Sequence, residues 1–269
     1  MGKGLRKCMG NNMFKTVNAI AGGRTGDFLH QLYVPAILYK MYEIKTNLFI
    51  AELGDTFHFG LESAYNELYN IVKNQKFINN FNIYDGSKLD YNLSEWRINN
   101  PNLGWTDKLC QKYIGSNKSP YKNFKIIEYE NNLPELKDSL VINRSLDYRR
   151  HGAIDIQESI INRFNERFFI FTDVKQYEEY PLKHLVKPLY AENIDSFFKV
   201  INSCKLFMGN LSGPMAMAYC LQKNLICEFG QIDTESYRAE TEYYSNISWF
   251  NNHQIFLSEK IKEIGIDIS

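Results

Sequence analysis

The stretch 205–229, KLFMGNLSGPMAMAYCLQKNLICEF, limits the possible folds of this chain more than any other part of the sequence. A short apolar run at 206–208 leads into a turn-rich segment at 209–213, and Pro214 then opens a run of small and apolar residues. Proline suits the first helical turn, because the N–H that it lacks has no partner there. The stretch therefore predicts a strand, a tight loop and a helix that begins near Pro214. A second apolar run at 225–229 predicts a parallel strand, which completes a βαβ unit.

The loop before this helix is a candidate anion site. The free N–H groups and the dipole of a helix N-terminus favour an anion such as a phosphate, here at Ser212 and Gly213. An ordinary βαβ crossover with a buried helix and no ligand fits the same pattern, so the rest of the chain has to distinguish the two.

The first half of the chain predicts a similar strand, loop and helix. Residues 15–21, KTVNAIA, form a candidate strand, the loop GGRTGD follows at 22–27, and apolar residues then recur at helical spacing from Phe28. Pro35 is expected to kink or divide this helix. Further along, we expect a strand at 47–51, a helix at 61–72, an irregular excursion over 74–104, a helix at 106–114 and a strand at 124–129.

The second half alternates strands and helices more regularly. Polar residues around Pro134 indicate a domain boundary, which divides the chain into domains 1–133 and 134–269. Beyond it we expect strands at 140–143, 167–172, 186–189, 206–208 and 225–229, with helices at 154–164, 174–180, 194–203, 214–221 and 257–264. Alternating elements of this kind predict parallel sheets with helices on their faces, and therefore an α/β fold of two Rossmann-like domains facing a cleft.

Composition excludes some classes of protein. Lys plus Arg and Asp plus Glu both total 31, so no overall basic field indicates a nucleic-acid partner. The five cysteines form no CxxC pair, which favours free thiols in a reducing compartment. The sequence has no apolar run long enough for a transmembrane segment and no hydrophobic signal core near its start, so we expect a cytoplasmic protein.

Two motifs resemble those of a known family. GGRTGDFLHQLYVPAI at 22–37 resembles the amino-terminal motif of the heptosyltransferase-like glycosyltransferases with the GT-B fold, in which a small-residue turn and Gly-Asp open the first helix. FMGNLSGPMAMAYCLQKNLICEFG at 207–230 resembles the donor-site motif of that family. Family members often carry Asp at the position of Asn210. The two motifs cover about a sixth of the chain, and their order and separation strengthen the resemblance.

The resemblance implies a sugar transferase with a nucleotide-sugar donor, a glycan or glycoconjugate acceptor and inversion at the anomeric carbon. In the family the Asp of the Gly-Asp motif is the catalytic base, which corresponds to Asp27 here. The simpler interpretation is that Asp27 caps a helix that begins at Phe28, and the two roles are compatible.

The resemblance also implies which residues bind each substrate. On the donor side, backbone N–H groups of the loop bind the phosphates, a basic residue such as Arg144 or Arg149 neutralises the leaving diphosphate, and Glu228 accepts hydrogen bonds from ribose hydroxyls. The donor loop comprises Gly209, Asn210, Leu211, Ser212, Gly213 and Pro214, and the acceptor-side candidates are Gly23, Arg24, Thr25, Gly26 and His30. Surface arginines are often only solvated, Glu228 also fits an ordinary strand-end charge, and His30 also fits a packed core histidine.

No cofactor beyond the nucleotide-sugar is expected. The sequence has no Asp-x-Asp motif at a strand end and no cluster of His, Cys and carboxylates at ligand spacing, which favours a metal-independent enzyme. GGRTGD has the wrong spacing for a dinucleotide-binding fingerprint. Two alternatives stay open, namely a catalytically inactive carbohydrate- or nucleotide-binding protein on the same scaffold, and a nucleotide-sugar epimerase of the same two-domain architecture.

Overall fold

The chain divides into two compact α/β units. The computed structural model describes residues 16–96, 103–145, 153–228, 240–241, 244–250 and 255–266. The first unit comprises residues 1–122 with 126–128, and the second comprises residues 123–125 with 129–269. This division lies a few residues before the boundary near Pro134 that composition indicates.

The first unit contains a parallel sheet in the strand order β3-β2-β1-β4. Its strands are β1 (Thr16–Gly22), β2 (Lys45–Ala51), β3 (Ile78–Ile83) and β4 (Tyr91–Asn92). Its α-helices are α1 (Thr25–Gln31), α2 (Tyr33–Tyr42), α3 (Leu61–Lys73) and α4 (Trp105–Leu109). A 3₁₀ turn at Leu93–Trp96 follows β4, and α4 continues into a π-helical turn at Cys110–Ile114.

Proline divides the first helical segment, as predicted. The helix is interrupted at Leu32, between α1 and α2, and Pro35 lies in the first turn of α2. Proline has no N–H with which to continue the helical hydrogen bonding from α1, so the segment forms two helices. The division ends α1 at Gln31.

Strand β3 corrects the prediction of an irregular excursion over 74–104. Only Ile78 and Phe81 of its six residues are fully buried, so the strand lacks the alternation of apolar and polar residues that would reveal it in the sequence. Its asparagines are also uncommon in strands. Side-chain amides contribute to the pairing instead. Asn47 Nδ2 donates to Asn18 Oδ1 at 2.9 Å, and Asn47 Oδ1 accepts from Asn80 Nδ2 at 3.1 Å.

The segment 124–129 is not a strand, contrary to the prediction. Its apolar residues Ile126 and Ile127 are buried, but its backbone is bound by a side chain. Gln75 Oε1 accepts from Glu128 N at 2.9 Å, and Gln75 Nε2 donates to Glu128 O at 3.0 Å. A buried glutamine thus satisfies backbone groups that a neighbouring strand would otherwise bind.

The second unit contains a sheet in the order β11-β10-β9-β8-β5-β6-β7, parallel except for the β10–β11 pair. Its strands are β5 (Leu140–Asn143), β6 (Arg167–Phe171), β7 (Lys187–Tyr190), β8 (Leu206–Asn210), β9 (Leu225–Glu228), β10 (Ile247–Phe250) and β11 (Ile255–Phe256). Its helices are α5 (Ile154–Ile161), α6 (Val174–Glu178), α7 (Ile194–Ser203), α8 (Gly213–Cys220) and α9 (Glu259–Glu263), with 3₁₀ turns at Pro134–Leu136 and Lys183–Leu185.

The three central strands of this sheet form the middle of its core. Every residue of β5, β8 and β9 is buried, as expected of parallel strands with helices on both faces. The βαβ unit predicted from 205–229 is confirmed, because β8 and β9 are parallel neighbours joined by α8. Strands β10 and β11 were not predicted. Within the described residues, no helix is both long and apolar enough to cross a membrane.

Candidate functional site

Two glycines shape the loop that leaves the first strand. A Cβ at Gly22 would lie 2.0 Å from the carbonyl oxygen of Ala51 on β2, so this position has no room for a side chain. Gly23 has a φ of +92°, which L residues rarely adopt. The backbone can therefore turn directly from β1 into α1, which places the start of α1 at the carboxyl end of the sheet.

Asp27 lies inside the first turn of α1. The helix begins at Thr25 with Arg24 as its N-cap residue, so the prediction that Asp27 caps a helix beginning at Phe28 is wrong. An aspartate in the first turn still interacts favourably with the helix dipole. The Asp27 side chain is half-buried, and it faces a cavity of about 250 Å³ in the first unit.

Of the five predicted acceptor-side residues, only Gly23 is among the described residues that line the cavity. Its lining consists of Gly22, Gly23, Asp27, Gln31, Leu53, Gly54, Asp55, Ser94 and Trp96. Arg24 is exposed, and Thr25 and Gly26 are half-buried, but none of these three is among the lining residues. His30 is buried and packs against Trp105 with ring centroids 4.0 Å apart, as expected of a core histidine.

Sequence analysis did not identify Gln31 as a site residue, because a single polar residue in an apolar helix does not indicate its partner. Its Oε1 accepts from Gly22 N at 3.1 Å, and its Nε2 donates to Gly22 O at 2.8 Å. The side chain thus binds both backbone groups of the last residue of β1. This pair of bonds fixes the loop between β1 and α1, directly before the helical turn that contains Asp27.

In the second unit, the ends of three parallel strands lie side by side. Asn143 at the end of β5 pairs with Gly209 on β8, and Asn210 at the end of β8 pairs with Glu228 at the end of β9. Arg144 directly follows β5. The carboxyl ends of parallel strands meet at one edge of a sheet, which is where α/β folds bind ligands.

Arg144 and Glu228 form a buried ion pair at this edge. Arg144 Nη2 lies 2.6 Å from Glu228 Oε2, and the two side chains are 9% and 5% exposed. Buried charges of this kind are stable only when they are paired and hydrogen-bonded. The structure therefore brings together two residues that the sequence predicted separately as donor ligands.

Tyr180 lies close to this ion pair. Its hydroxyl donates to Gln157 Oε1 at 3.1 Å. Burial raises the pKa of Tyr180 well above its usual range, the positive charge of Arg144 opposes this shift, and the negative charge of Glu228 adds to it. Tyr180 therefore stays neutral beside the ion pair and acts as a hydrogen-bond donor.

Asn210 binds the backbone beyond β5. Its Nδ2 donates to Ser145 O at 3.1 Å, and its Oδ1 accepts from Ser145 N at 3.0 Å. Gly209 has no room for a side chain, because a Cβ there would lie 2.9 Å from the ring of Phe207 and 3.1 Å from Asn143 O.

The loop between β8 and α8 leaves a helix N-terminus accessible. Ser212 is the N-cap residue of α8, and its Oγ donates to Asn210 O at 3.1 Å instead of capping the helix. Leu211, Ser212, Gly213 and Pro214 are each partly exposed, and Pro214 lies in the first turn, as predicted. The first backbone N–H groups of α8 can therefore reach an anion.

Two further predictions concern Arg149 and a metal site. Arg149 lies at 146–152, outside the described residues. Among the residues that the structure describes, no group of three or more His, Cys, Asp and Glu side chains is placed to hold a metal ion.

Comparisons with known proteins relate the chain to solved structures. No protein-family model matches the sequence, and no curated protein sequence does. The Escherichia coli heptosyltransferase WaaC with ADP is 11% identical with a TM-score of 0.55, over 92% of this chain and 98% of WaaC. A glycosyl transferase family 9 protein from Veillonella parvula is 11% identical with a TM-score of 0.60, over 95% of this chain and 92% of that protein.

A third neighbour is longer than this chain. The iron-containing dodecameric glycosyltransferase TibC from enterotoxigenic E. coli is 9% identical with a TM-score of 0.56, over 82% of this chain. The chain spans 60% of the length of TibC. At these identities the likenesses show the fold alone, and they agree with the two mainly parallel sheets described above. The chain has the two Rossmann-like α/β units of the GT-B glycosyltransferase fold.

Proposed function

We propose that the chain is a glycosyltransferase that moves a sugar from a nucleotide-sugar donor to a hydroxyl of a glycan acceptor, with inversion and without a metal. The observation that carries this proposal is the position of Asp27, a carboxylate that faces a cavity at the carboxyl end of β1. In this proposal the first unit supplies the base and the acceptor site, and the second unit supplies the donor site.

Asp27 acts as the general base. Its carboxylate takes the proton from the acceptor hydroxyl while the hydroxyl oxygen attacks the anomeric carbon of the donor. The bond between that carbon and the diphosphate oxygen breaks, and the nucleoside diphosphate leaves with the electron pair. A positioned general base of this kind contributes about 10²- to 10⁴-fold to the rate.

The donor diphosphate binds at the carboxyl edge of the second sheet. The N–H groups at the start of α8 bind phosphate oxygens, and Arg144 stabilises the charge that develops on the leaving group. The ion pair with Glu228 at 2.6 Å orients the Arg144 guanidinium. A guanidinium has five N–H donors, so it can bind a carboxylate and phosphate oxygens together. A carboxylate likewise has acceptor sites for a ribose hydroxyl besides an arginine.

These groups neutralise the leaving diphosphate without a divalent ion. Turnover should therefore persist when a chelator such as EDTA is present. Loss of turnover on chelation, with recovery on addition of a metal, would contradict this part of the proposal.

ADP-sugars come first among the donors to test. WaaC was solved with ADP, and TibC was solved with ADP-D-β-D-heptose. A thermal-shift screen against ADP, UDP, GDP, CMP and their sugar conjugates identifies the donor, because a ligand that binds only the folded state raises its melting temperature. NMR of the transfer product then gives the configuration of the new bond.

Replacement of the base tests the mechanism. Asp27→Asn should lower turnover by at least about 100-fold while the shift caused by the donor stays unchanged. Glu62→Gln is the matched control, because Glu62 is an exposed carboxylate in the first turn of α3. Unchanged turnover in Asp27→Asn would refute its role as base. Donor binding without turnover in the unmodified protein would favour an inactive binding protein.

A further inference from the structure

Gln31 contacts the cavity as well as the last residue of β1. The residue is only 1% exposed, yet it lines the cavity together with Asp27. The two residues are four apart on α1, so their side chains lie on the same face of the helix. A group that contacts the Asp27 carboxylate would therefore also come close to the Gln31 amide.

The orientation of this amide is fixed by its partners. Oε1 faces the N–H of Gly22, and Nε2 faces its carbonyl oxygen. The reverse assignment would place two donors together and two acceptors together. An amide nitrogen carries two N–H groups, of which Gly22 accepts one. The other points away from Gly22 and makes no hydrogen bond within the described part of the chain.

We propose that the cavity binds an uncharged, hydroxyl-bearing group of the acceptor, and that the second N–H of Gln31 donates a hydrogen bond to one of its oxygens. This inference rests on the proposed function, in which Asp27 accepts the proton of the attacking hydroxyl. A hydroxyl is both a donor and an acceptor. It therefore complements a carboxylate and an amide N–H on the same helix face.

The charges around the cavity support an uncharged ligand. Asp27 and Asp55 both line it, and no Lys, Arg or His is found among its described lining residues. Arg24 is exposed and lies outside this lining. A sugar carboxylate or phosphate would be repelled by the like charges of these two aspartates. A neutral sugar avoids this repulsion.

One substitution isolates the second N–H. In Gln31→Glu, a protonated carboxyl can still accept from Gly22 N and donate to Gly22 O, but it has no further hydrogen to donate. Burial favours the protonated form, and measurement near pH 5 favours it further.

Gln75→Glu is the matched control. Gln75 is also buried, it binds the backbone of Glu128 in both directions, and it is not a lining residue of the cavity. The nitrogen of Gln75 already donates to two carbonyl oxygens, those of Ile71 and Glu128.

Saturation-transfer NMR on the full chain measures binding directly. The ligands are the methyl glycosides of glucose, galactose and N-acetylglucosamine, with methyl glucuronide as the anionic counterpart. We expect at least one neutral glycoside to bind and methyl glucuronide to bind more weakly. Gln31→Glu should raise the Kd of the neutral glycoside about tenfold, while Gln75→Glu leaves it unchanged.

Several results would overturn the inference. These are no binding of any neutral glycoside, binding of methyl glucuronide at least as tight, or an unchanged Kd in Gln31→Glu. A weaker Kd accompanied by a melting temperature below that of Gln75→Glu would show a purely structural role and would also overturn it. Glycoside binding in a protein that turns over no donor would refute the proposed transferase while leaving the cavity assignment intact.

Discussion

Asn210 binds the backbone of Ser145 in both directions, at 3.1 Å and 3.0 Å, and so continues the pairing of β8 with β5 beyond Asn143 and Gly209. The same arrangement occurs between Gln31 and Gly22 and between Gln75 and Glu128. In each case a neutral side-chain amide takes the place of a neighbouring strand. The Asn210 bonds position the backbone next to Arg144, and therefore connect the donor loop to the ion pair.

Replacement of Asn210 by aspartate should disrupt this connection. The carboxylate cannot donate to Ser145 O, and one of its oxygens would face that carbonyl oxygen. We expect Asn210→Asp to lower the free energy of unfolding by about 1–3 kcal/mol and to weaken donor binding. Chemical denaturation and the donor-induced thermal shift measure the two effects.

Asn165→Asp is the control for this change, because Asn165 is exposed in the same unit. It should leave both quantities close to those of the unmodified protein. Equal effects of the two substitutions would show that the Asn210 amide contributes nothing specific.

The Arg144–Glu228 pair should show strong energetic coupling. Removal of one partner leaves the other charge buried without compensation, so Arg144→Met and Glu228→Gln should each cost about 3–5 kcal/mol of unfolding free energy. The double substitution should cost much less than the sum of the two. A double-mutant cycle by urea denaturation measures this difference. Additive single effects would indicate that the two side chains are independent.

Gly22 should not tolerate a methyl group. A Cβ there would lie 2.0 Å from Ala51 O, which belongs to the backbone of a central strand and cannot move aside cheaply. We expect Gly22→Ala to lower the free energy of unfolding by at least about 1–3 kcal/mol and to distort the loop before Asp27. Thermal denaturation and transfer activity report the two effects.

Gly86→Ala separates steric from conformational cost. Gly86 has a φ of +88° and no heavy atom within 4 Å of its would-be Cβ, so only backbone strain opposes the change. Gly86→Ala should lower the free energy of unfolding by about 1 kcal/mol and leave the transfer activity unchanged. A smaller effect at Gly22 than at Gly86 would contradict the packing argument.

Alkaline pH should destabilise the second unit through Cys204. Burial raises the pKa of this thiol from its ordinary value of 9.0 to about 12. Because the folded-state pKa is the higher one, the contribution to stability is complete below pH 9.0 and is lost as the pH rises towards about 12. The loss from one such thiol reaches about 1.4 kcal/mol per pH unit.

The test is the slope of unfolding free energy against pH above about pH 9. Cys204→Ala should give a shallower slope than the unmodified protein. Val200→Ala, which shortens another buried side chain next to α7's end without a titrating group, should lower stability but keep the slope. An unchanged slope in Cys204→Ala would show that its thiol does not titrate differently on folding.

The sequence was sufficient to predict the elements that follow simple periodicity. The strand β8, the start of α8 near Pro214 and the division of the first helical segment at Pro35 all depend on local chemistry, and all are confirmed. The parallel pairing of β1 to β3 and of β5 to β9 also follows from the alternation of strands and helices.

The missed features depend on contacts between distant residues. Strand β3 is an edge strand whose asparagines are unusual in strands, and the buried residues Ile126 and Ile127 look like a strand although Gln75 binds the adjacent backbone. No local pattern indicates that Gln31 reaches back to Gly22 or that Glu228 pairs with Arg144. Such side chains are assigned only when the positions of both partners are known.

The hydrogen bonds that the side-chain amides of Gln31 and Asn210 make with Gly22 and Ser145 affect how the protein responds to salt. Neutral groups carry no net charge for dissolved ions to screen, whereas the interaction of an exposed cation with a phosphate weakens as the Debye length falls from about 10 Å at 0.1 M to about 3 Å at 1 M. The loop before Asp27 and the segment that contains Arg144 should therefore keep their shape across this range of ionic strength. Any decline in donor affinity with added salt would then report on the contacts with phosphate itself.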